Sequence, residues 1–243
     1  MHNHFQRAAG AAGLLLLTGC GSSHVESKGA AVPTGATRPE RIIVQDFVVQ
    51  PSVVSLDSGI GARVLRAVGS GNSETEQRET AAKVVRKLSE TLVKDLNPSG
   101  IPTSPGSTAG IPAPNYSTLV VSGKILSIDE GNRTRRNVVG FGVGASKVTA
   151  EVDLYLNAPG AAPRLLQAFT ADAESGKKPG LAVAGVGAAA GHVATAAAVG
   201  VGSTVAGESL GATPEDNAGR MGKEIASALN TYFVNQGWVQ PKR

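Results

Sequence analysis

The stretch SKVTAEVDLYLN, Ser146 to Asn157, constrains the fold more than any other, because its side chains alternate in kind with a period of two. Val148, Ala150, Val152, Leu154 and Leu156 fall on one face of an extended chain, with charged and polar residues on the other. Such a strand belongs to a sheet that is covered on one side and wet on the other. The rest of the chain must therefore supply partner strands and a cover.

Partners are available on both sides. Arg41 to Gln50 (RIIVQDFVVQ) is β-branched and apolar and reads as a first strand, and Thr118 to Asp129 (TLVVSGKILSID) reads as a second. Arg164 to Glu174 (RLLQAFTADAE) follows a turn at Pro159-Gly160 and Pro163, and is expected to pair antiparallel with Ser146 to Asn157. The cover comes from two helices. In Glu74 to Leu96, Ala81, Val85, Leu88, Leu92 and Leu96 recur at helical spacing, with Val84 widening the stripe, until Asn97-Pro98 and Gly100 stop it. The last helix opens on Thr213 as N-cap, Pro214 in the first position, and Glu215 and Asp216 against the positive end of the helix dipole. Its stripe is Ala218, Met221, Ile225, Ala228, Leu229 and Tyr232; Gly237 closes it and Trp238 is expected to fold back onto the core.

The fold class expected is thus α/β (α+β): about four strands, mostly antiparallel, with two helices packed on one face. A short helical turn is expected within Gly61 to Val68. Ile101 to Asn115, with four prolines and two glycines, reads as loop, and Glu130 to Arg136 (EGNRTRR) as a polar turn.

The amino-terminal segment bears on where the chain works. Arg7 precedes an apolar run, Ala8 to Leu17, which ends at Leu17-Thr18-Gly19-Cys20. This resembles the bacterial lipobox, in which the signal is removed before the cysteine and the cysteine is acylated. The resemblance implies a signal peptide over 1–19, lipidation at Cys20 and membrane attachment through its acyl chains. Gly21 in the next position implies the periplasmic face of the outer membrane. Gly21 to Pro39 has no hydrophobic period and reads as a flexible tether, giving a 20–40 anchor-and-tether segment ahead of a single domain over 41–239. With one cysteine in the chain, no intramolecular disulfide can form. A net charge of +4 is too mild to argue for nucleic acid.

The residues point away from catalysis. Of four histidines, His2 and His4 leave with the signal, His24 lies in the tether and His192 in a Gly/Ala tract. No nucleophile elbow, zinc-binding helix or paired-cysteine motif is present, so no catalytic residues, metal ligands or cofactors are assigned. Two features stand out instead. In VVGFGVGA the residues Gly140, Gly142 and Gly144 alternate with larger ones and, in an extended chain, would leave one sheet face bare for a partner. Beside them Arg133, Arg135 and Arg136 are candidates for gripping an anionic group. The second feature is Pro179 to Gly207, within a low-complexity insertion over 179–211. It holds ten alanines, seven glycines and six valines, with small residues four apart at Ala184/Ala188 and Gly187/Gly191, as in close-packed membrane helices. Its seven larger aliphatic residues would supply only about −2 to −4 kcal/mol toward insertion, so spanning a bilayer is marginal and a weakly structured insertion is favoured.

The stretch VSGKILSIDEGNRTRRNVVGFGVGASKVTAEVDLYL, Val121 to Leu156, resembles an uncharacterised family of Gram-negative lipoproteins, domain of unknown function 4410. The likeness runs from about Arg41 to the ending with Tyr232, Phe233, Gly237 and Trp238, and carries no catalytic residues with it. The order strand, helix, strands, helix is also similar to small periplasmic domains of the TolB amino-terminal type. The function these resemblances imply is a non-enzymatic, lipid-anchored accessory or docking protein of the cell envelope, with an envelope protein as partner. Two other functions stay open: membrane insertion or self-association through 179–207, and sensing of a small anionic ligand.

Overall fold

The computed structural model describes residues 21–29, 31, 35–69, 72–106, 116–139, 142–176 and 212–241. The expected signal, Cys20, Gly140, His192 and the tract 179–207 lie outside these residues.

In chain order the elements are β1 (Ser22–Lys28), β2 (Arg41–Gln45), β3 (Val54–Ser55), α1 (Ile60–Val68), α2 (Ser73–Leu96), β4 (Thr103–Gly106), β5 (Thr118–Asp129), α3 (Arg133–Val138), β6 (Lys147–Asn157), β7 (Arg164–Glu174) and α4 (Pro214–Asn235). Seven strands make one mixed sheet in the order β1-β7-β6-β5-β2-β4, and β3 pairs with the same edge of β5 as β2, further along. The half from β1 to β5 is antiparallel, as expected for β6 and β7. The other half is parallel, because β2 returns through α2 to β4, and β4 runs on to β5 in the same direction.

The expectation of about four mostly antiparallel strands is corrected to this mixed sheet of seven. The three additional strands have physical reasons for being silent in the sequence. β1 (SSHVESK) is polar and lies at the sheet edge, joined to β7 by backbone pairing from Ser22↔Glu174 to Lys28↔Ala168. It falls within the stretch expected to be a tether. β4 contains Pro105, which an edge strand tolerates because one side needs no hydrogen bonds. β3 is two residues long.

The two long helices cover one face, as expected. Alternate residues of β6, Val148 to Leu156, are buried with Ala81, Val84, Leu88, Leu92 and Leu96 of α2 and with Met221, Ile225, Leu229 and Phe233 of α4 in one apolar core. The side chain of Thr213 accepts from the backbone of Asp216, whose carboxylate accepts in return from the Thr213 backbone. At the other end Gly237 has φ 73° and lets the chain reverse. Trp238 then packs edge-on against Tyr232, centroids 6.0 Å apart, and its indole N–H donates to the Ala36 carbonyl at 3.1 Å. This contact ties the carboxy-terminal turn to the segment before β2.

The uncovered face is charged. Glu151 on β6 accepts from Lys124 on β5 at 2.7 Å and pairs with Lys28 on β1. Hydrogen bonds from these two lysines hold the Glu151 carboxyl down at about 2, and Glu151 in turn raises Lys124. Burial, and then the neighbouring Glu151 charge, push Asp153 up.

Candidate functional site at one end of the sheet

β5 runs from Thr118 to Asp129, and what gathers beyond Asp129 sets the two ends of the molecule apart. Pairing of Ser55 with Asp129, Asp129 with Lys147, Lys147 with Glu174, and Glu174 with Ser22 lines up one end of five strands. α2 and α4 both start at this end. Gln77 of α2 donates to the Val54 carbonyl at 2.9 Å, and Asn217 of α4 donates to the backbone and side-chain oxygens of Ser146, each at 2.9 Å.

A polar knot holds this end together around Asp57, which is 3% exposed. Its Oδ1 accepts from the backbone of Gly59 at 2.8 Å and of Arg133 at 3.3 Å, while Oδ2 stands 3.5 Å from Arg133 Nε without a hydrogen bond. Arg66 donates to the Asp57 carbonyl. Glu130 completes the knot: its carboxylate accepts from the Asp57 backbone at 3.0 Å and from the Thr80 hydroxyl at 2.9 Å. Asn132 caps α3 by accepting from the Arg135 backbone at 2.9 Å.

The residues singled out from the sequence meet here in a different arrangement. The segment expected as a polar turn and then a glycine-lined extended chain is instead the short helix α3 followed by a turn. Gly142 and Gly144 adopt φ of 86° and 78°, the left-handed region, so no bare strand face exists at these two positions. At Gly144 an added Cβ would also meet the Asn132 carbonyl at 2.5 Å. Arg136 reaches back to donate to the carbonyls of Glu130 at 3.1 Å and Gly144 at 2.9 Å. Arg133 faces Asp57, and Arg135 lies on the exposed side of α3. Arg136 thus meets Gly144, and Arg133 and Arg136 both hold the protein itself.

What sequence reasoning missed is apolar. α1 leaves the knot with Ile60, Leu65 and Val68 at 72%, 75% and 85% exposure, and Val64 beside them more than half exposed. Val138 at the end of α3, and Val139 and Val143 beyond it, are also exposed. The spacing of Ile60, Val64 and Val68 at four-residue intervals, with Arg63 and Arg66 off the stripe, was the readable signal of an amphipathic helix. Neither α1 nor α3 contains an acidic residue.

The opposite end is different in character. A groove of about 570 Å³ lies between the end of α2 and the second half of α4, lined among others by Asp95, Pro98, Asn230, Val234 and Gln240. Among the described residues no cluster of histidine, cysteine and carboxylates could hold a metal ion, and no helix is long and apolar enough to cross a membrane.

These features define a two-layer α/β domain with a knotted, apolar-tipped end and a grooved one. The chain belongs to the family described as Domain of unknown function (DUF4410), whose model matches residues 42–192. Among solved structures it is similar to PelC dodecamers from Paraburkholderia phytofirmans. One matches at 13% identity over 68% of this chain and 89% of that chain, with a TM-score of 0.32. Another matches at 9% identity over 84% and 97%, with a TM-score of 0.33. No curated protein matches the chain.

Proposed function

We propose that this chain is a lipid-anchored accessory protein of the cell envelope, held at the periplasmic face of the outer membrane by acyl chains on Cys20 and serving as a non-enzymatic docking subunit. The observation that carries this reading is the seat of Gly21. It lies immediately before β1, so close to α4 that an added Cβ would meet the Arg220 guanidinium at 2.5 Å. An anchor at Cys20 would therefore join the folded domain directly, with no tether between them, and hold the knot end toward the bilayer. The groove between α2 and α4 would then face away from the membrane, toward an envelope protein partner.

The test has two parts. Metabolic palmitate labelling in a Gram-negative host should mark the wild type and disappear in Cys20→Ala; an unlabelled wild type refutes the anchor. A photo-crosslinking residue at Thr231, in the groove, should give a discrete protein adduct in intact cells, whereas one at Lys124 on the open sheet face should not. No adduct from Thr231, or reproducible hydrolase turnover by the purified protein, would overturn the docking role. Sensing of an anionic ligand gains no support from Arg133 and Arg136, which already face Asp57 and the Glu130 and Gly144 carbonyls.

A further inference from the structure

The apolar stripe of α1 holds four exposed aliphatic side chains on one helix: Ile60, Val64, Leu65 and Val68 lie on nine residues, none of them buried. The domain core does not cover this stripe, and an exposed apolar patch on a folded domain marks a contact site. Two observations identify what that contact is. The first is place. α1 leaves β3 at the same sheet end at which β1 begins. β1 and β3 stand four strand spacings apart, through β7, β6 and β5, which is about 19 Å at about 4.8 Å per spacing. The second is charge. The only ionic residues on α1 and α3 are arginines; Arg66 turns inward to the Asp57 carbonyl and to Glu76 of α2 at 3.7 Å, which leaves Arg63 beside the stripe and Arg135 on α3 exposed. An apolar stripe flanked by arginines suits a surface of acyl chains and anionic headgroups, and a short amphipathic helix lies in such an interface with its apolar side buried about 5–10 Å deep.

We infer that α1, with Ile60, Val64, Leu65 and Val68, lies in the phospholipid interface as a second membrane contact, and that together with the Cys20 anchor it fixes the orientation of the domain on the bilayer. The inference rests on the anchoring reading above. A single anchor leaves a domain free to roll about its attachment point; a second contact, on a helix that leaves the sheet four strands away from β1, removes that freedom along one direction.

The experiment uses the full processed protein with acylated Cys20, so that an introduced cysteine is the one reactive thiol. Leu65→Cys and, at the opposite end, Gln240→Cys are each labelled with an environment-sensitive fluorophore and reconstituted into vesicles of phosphatidylethanolamine and phosphatidylglycerol. With lipids brominated in their acyl chains, emission at position 65 is expected to fall at least about two-fold, as burial at interface depth requires, while emission at position 240 stays unchanged. Equal emission with and without brominated lipid at position 65 overturns the proposal while leaving the anchor intact. A probe at 65 already shielded before vesicles are added also overturns it, and assigns the stripe to a second copy or another stretch of this chain. Mass measurement of the amino-terminal peptide separates the two readings: an unmodified Cys20 refutes the anchor and, with it, the two-contact orientation.

Discussion

Replacing Asp57 by alanine tests whether the knot at the end of β5 is the joint that holds α1 in place. The substitution strands two backbone donors, Gly59 and Arg133, which reach the carboxylate at 2.8 and 3.3 Å, and it leaves Arg133 without its buried counter-charge. Hydrogen bonds to a charged acceptor are each worth roughly 1.5–3 kcal/mol. Arg133 is 54% exposed and regains water, so the expected loss is toward the lower end for the pair, about 3 kcal/mol. With a slope of about 2 kcal/mol/M for a domain this size, the urea midpoint should fall by about 1.5 M. Asp57→Asn keeps the Oδ1 acceptor and turns only Oδ2 into an amide facing Arg133, so its midpoint should fall by about 0.5 M, for a loss of about 1 kcal/mol. Hydrogen exchange gives the local readout. The Arg63 amide, bonded to the Gly59 carbonyl at 3.0 Å, should exchange faster in Asp57→Ala, while amides in the middle of α4 change only by the global loss. A midpoint shift below about 0.3 M with unchanged exchange at Arg63 would refute the knot as the joint.

Three further outcomes are expected. Gly144→Ala combines a left-handed φ of 78° with a Cβ driven into the Asn132 carbonyl and should cost about 3 kcal/mol or more, whereas Gly160→Ala, at φ 70° with nothing within 4 Å, should cost only about 1; thermal melts of the two separate crowding from backbone strain. Where α4 crosses α2, Gly222→Ala sets a Cβ 3.0 Å from Thr91 carbons and should destabilise by about 1–2 kcal/mol, while Gly219→Ala meets only the flexible end of Lys87 and should be neutral or stabilising through helix propensity. Acid titration of folding should show the Glu151 cluster. Its carboxyl is held at about 2 when folded against an ordinary 4.5, so its contribution is complete above 4.5 and is lost as pH falls toward 2. Glu151→Gln should flatten that part of the stability curve. Asp153, raised by burial, acts with the opposite sign, its contribution fading as pH rises through its folded value.

Most elements with a buried side were readable in the sequence, because burial imposes a period, although the first strand ends at Gln45 and not at the expected Gln50. β5, β7 and the cap of α4 fall where patterning and capping residues placed them, and α2 and β6 lie within a residue of expectation. β1 and β4 were not readable, since an edge strand is held by backbone hydrogen bonds that any polar sequence supplies. The site was readable in part. Arg133, Arg136 and Gly144 do converge, but through Asp57 and Glu130, whose approach depends on β3 lying alongside the far end of β5. Nothing local in the sequence specifies that pairing. α1 was visible as a pattern, and only its lack of a partner in the fold shows the stripe to be exposed.

Strand β1 has a mechanical consequence as well. It starts at the knot end and runs toward the other, in register with β7 over its whole length. A pull on Gly21 along the strand, away from the domain, strains these backbone bonds side by side, because they lie across the direction of force. A pull perpendicular to the strand would instead open them one pair at a time. If the membrane holds residue 20 and a partner tugs at the grooved end, β1 is loaded as a clasp in shear, the stronger of the two geometries, and single-molecule stretching from residue 21 in the two directions should differ accordingly.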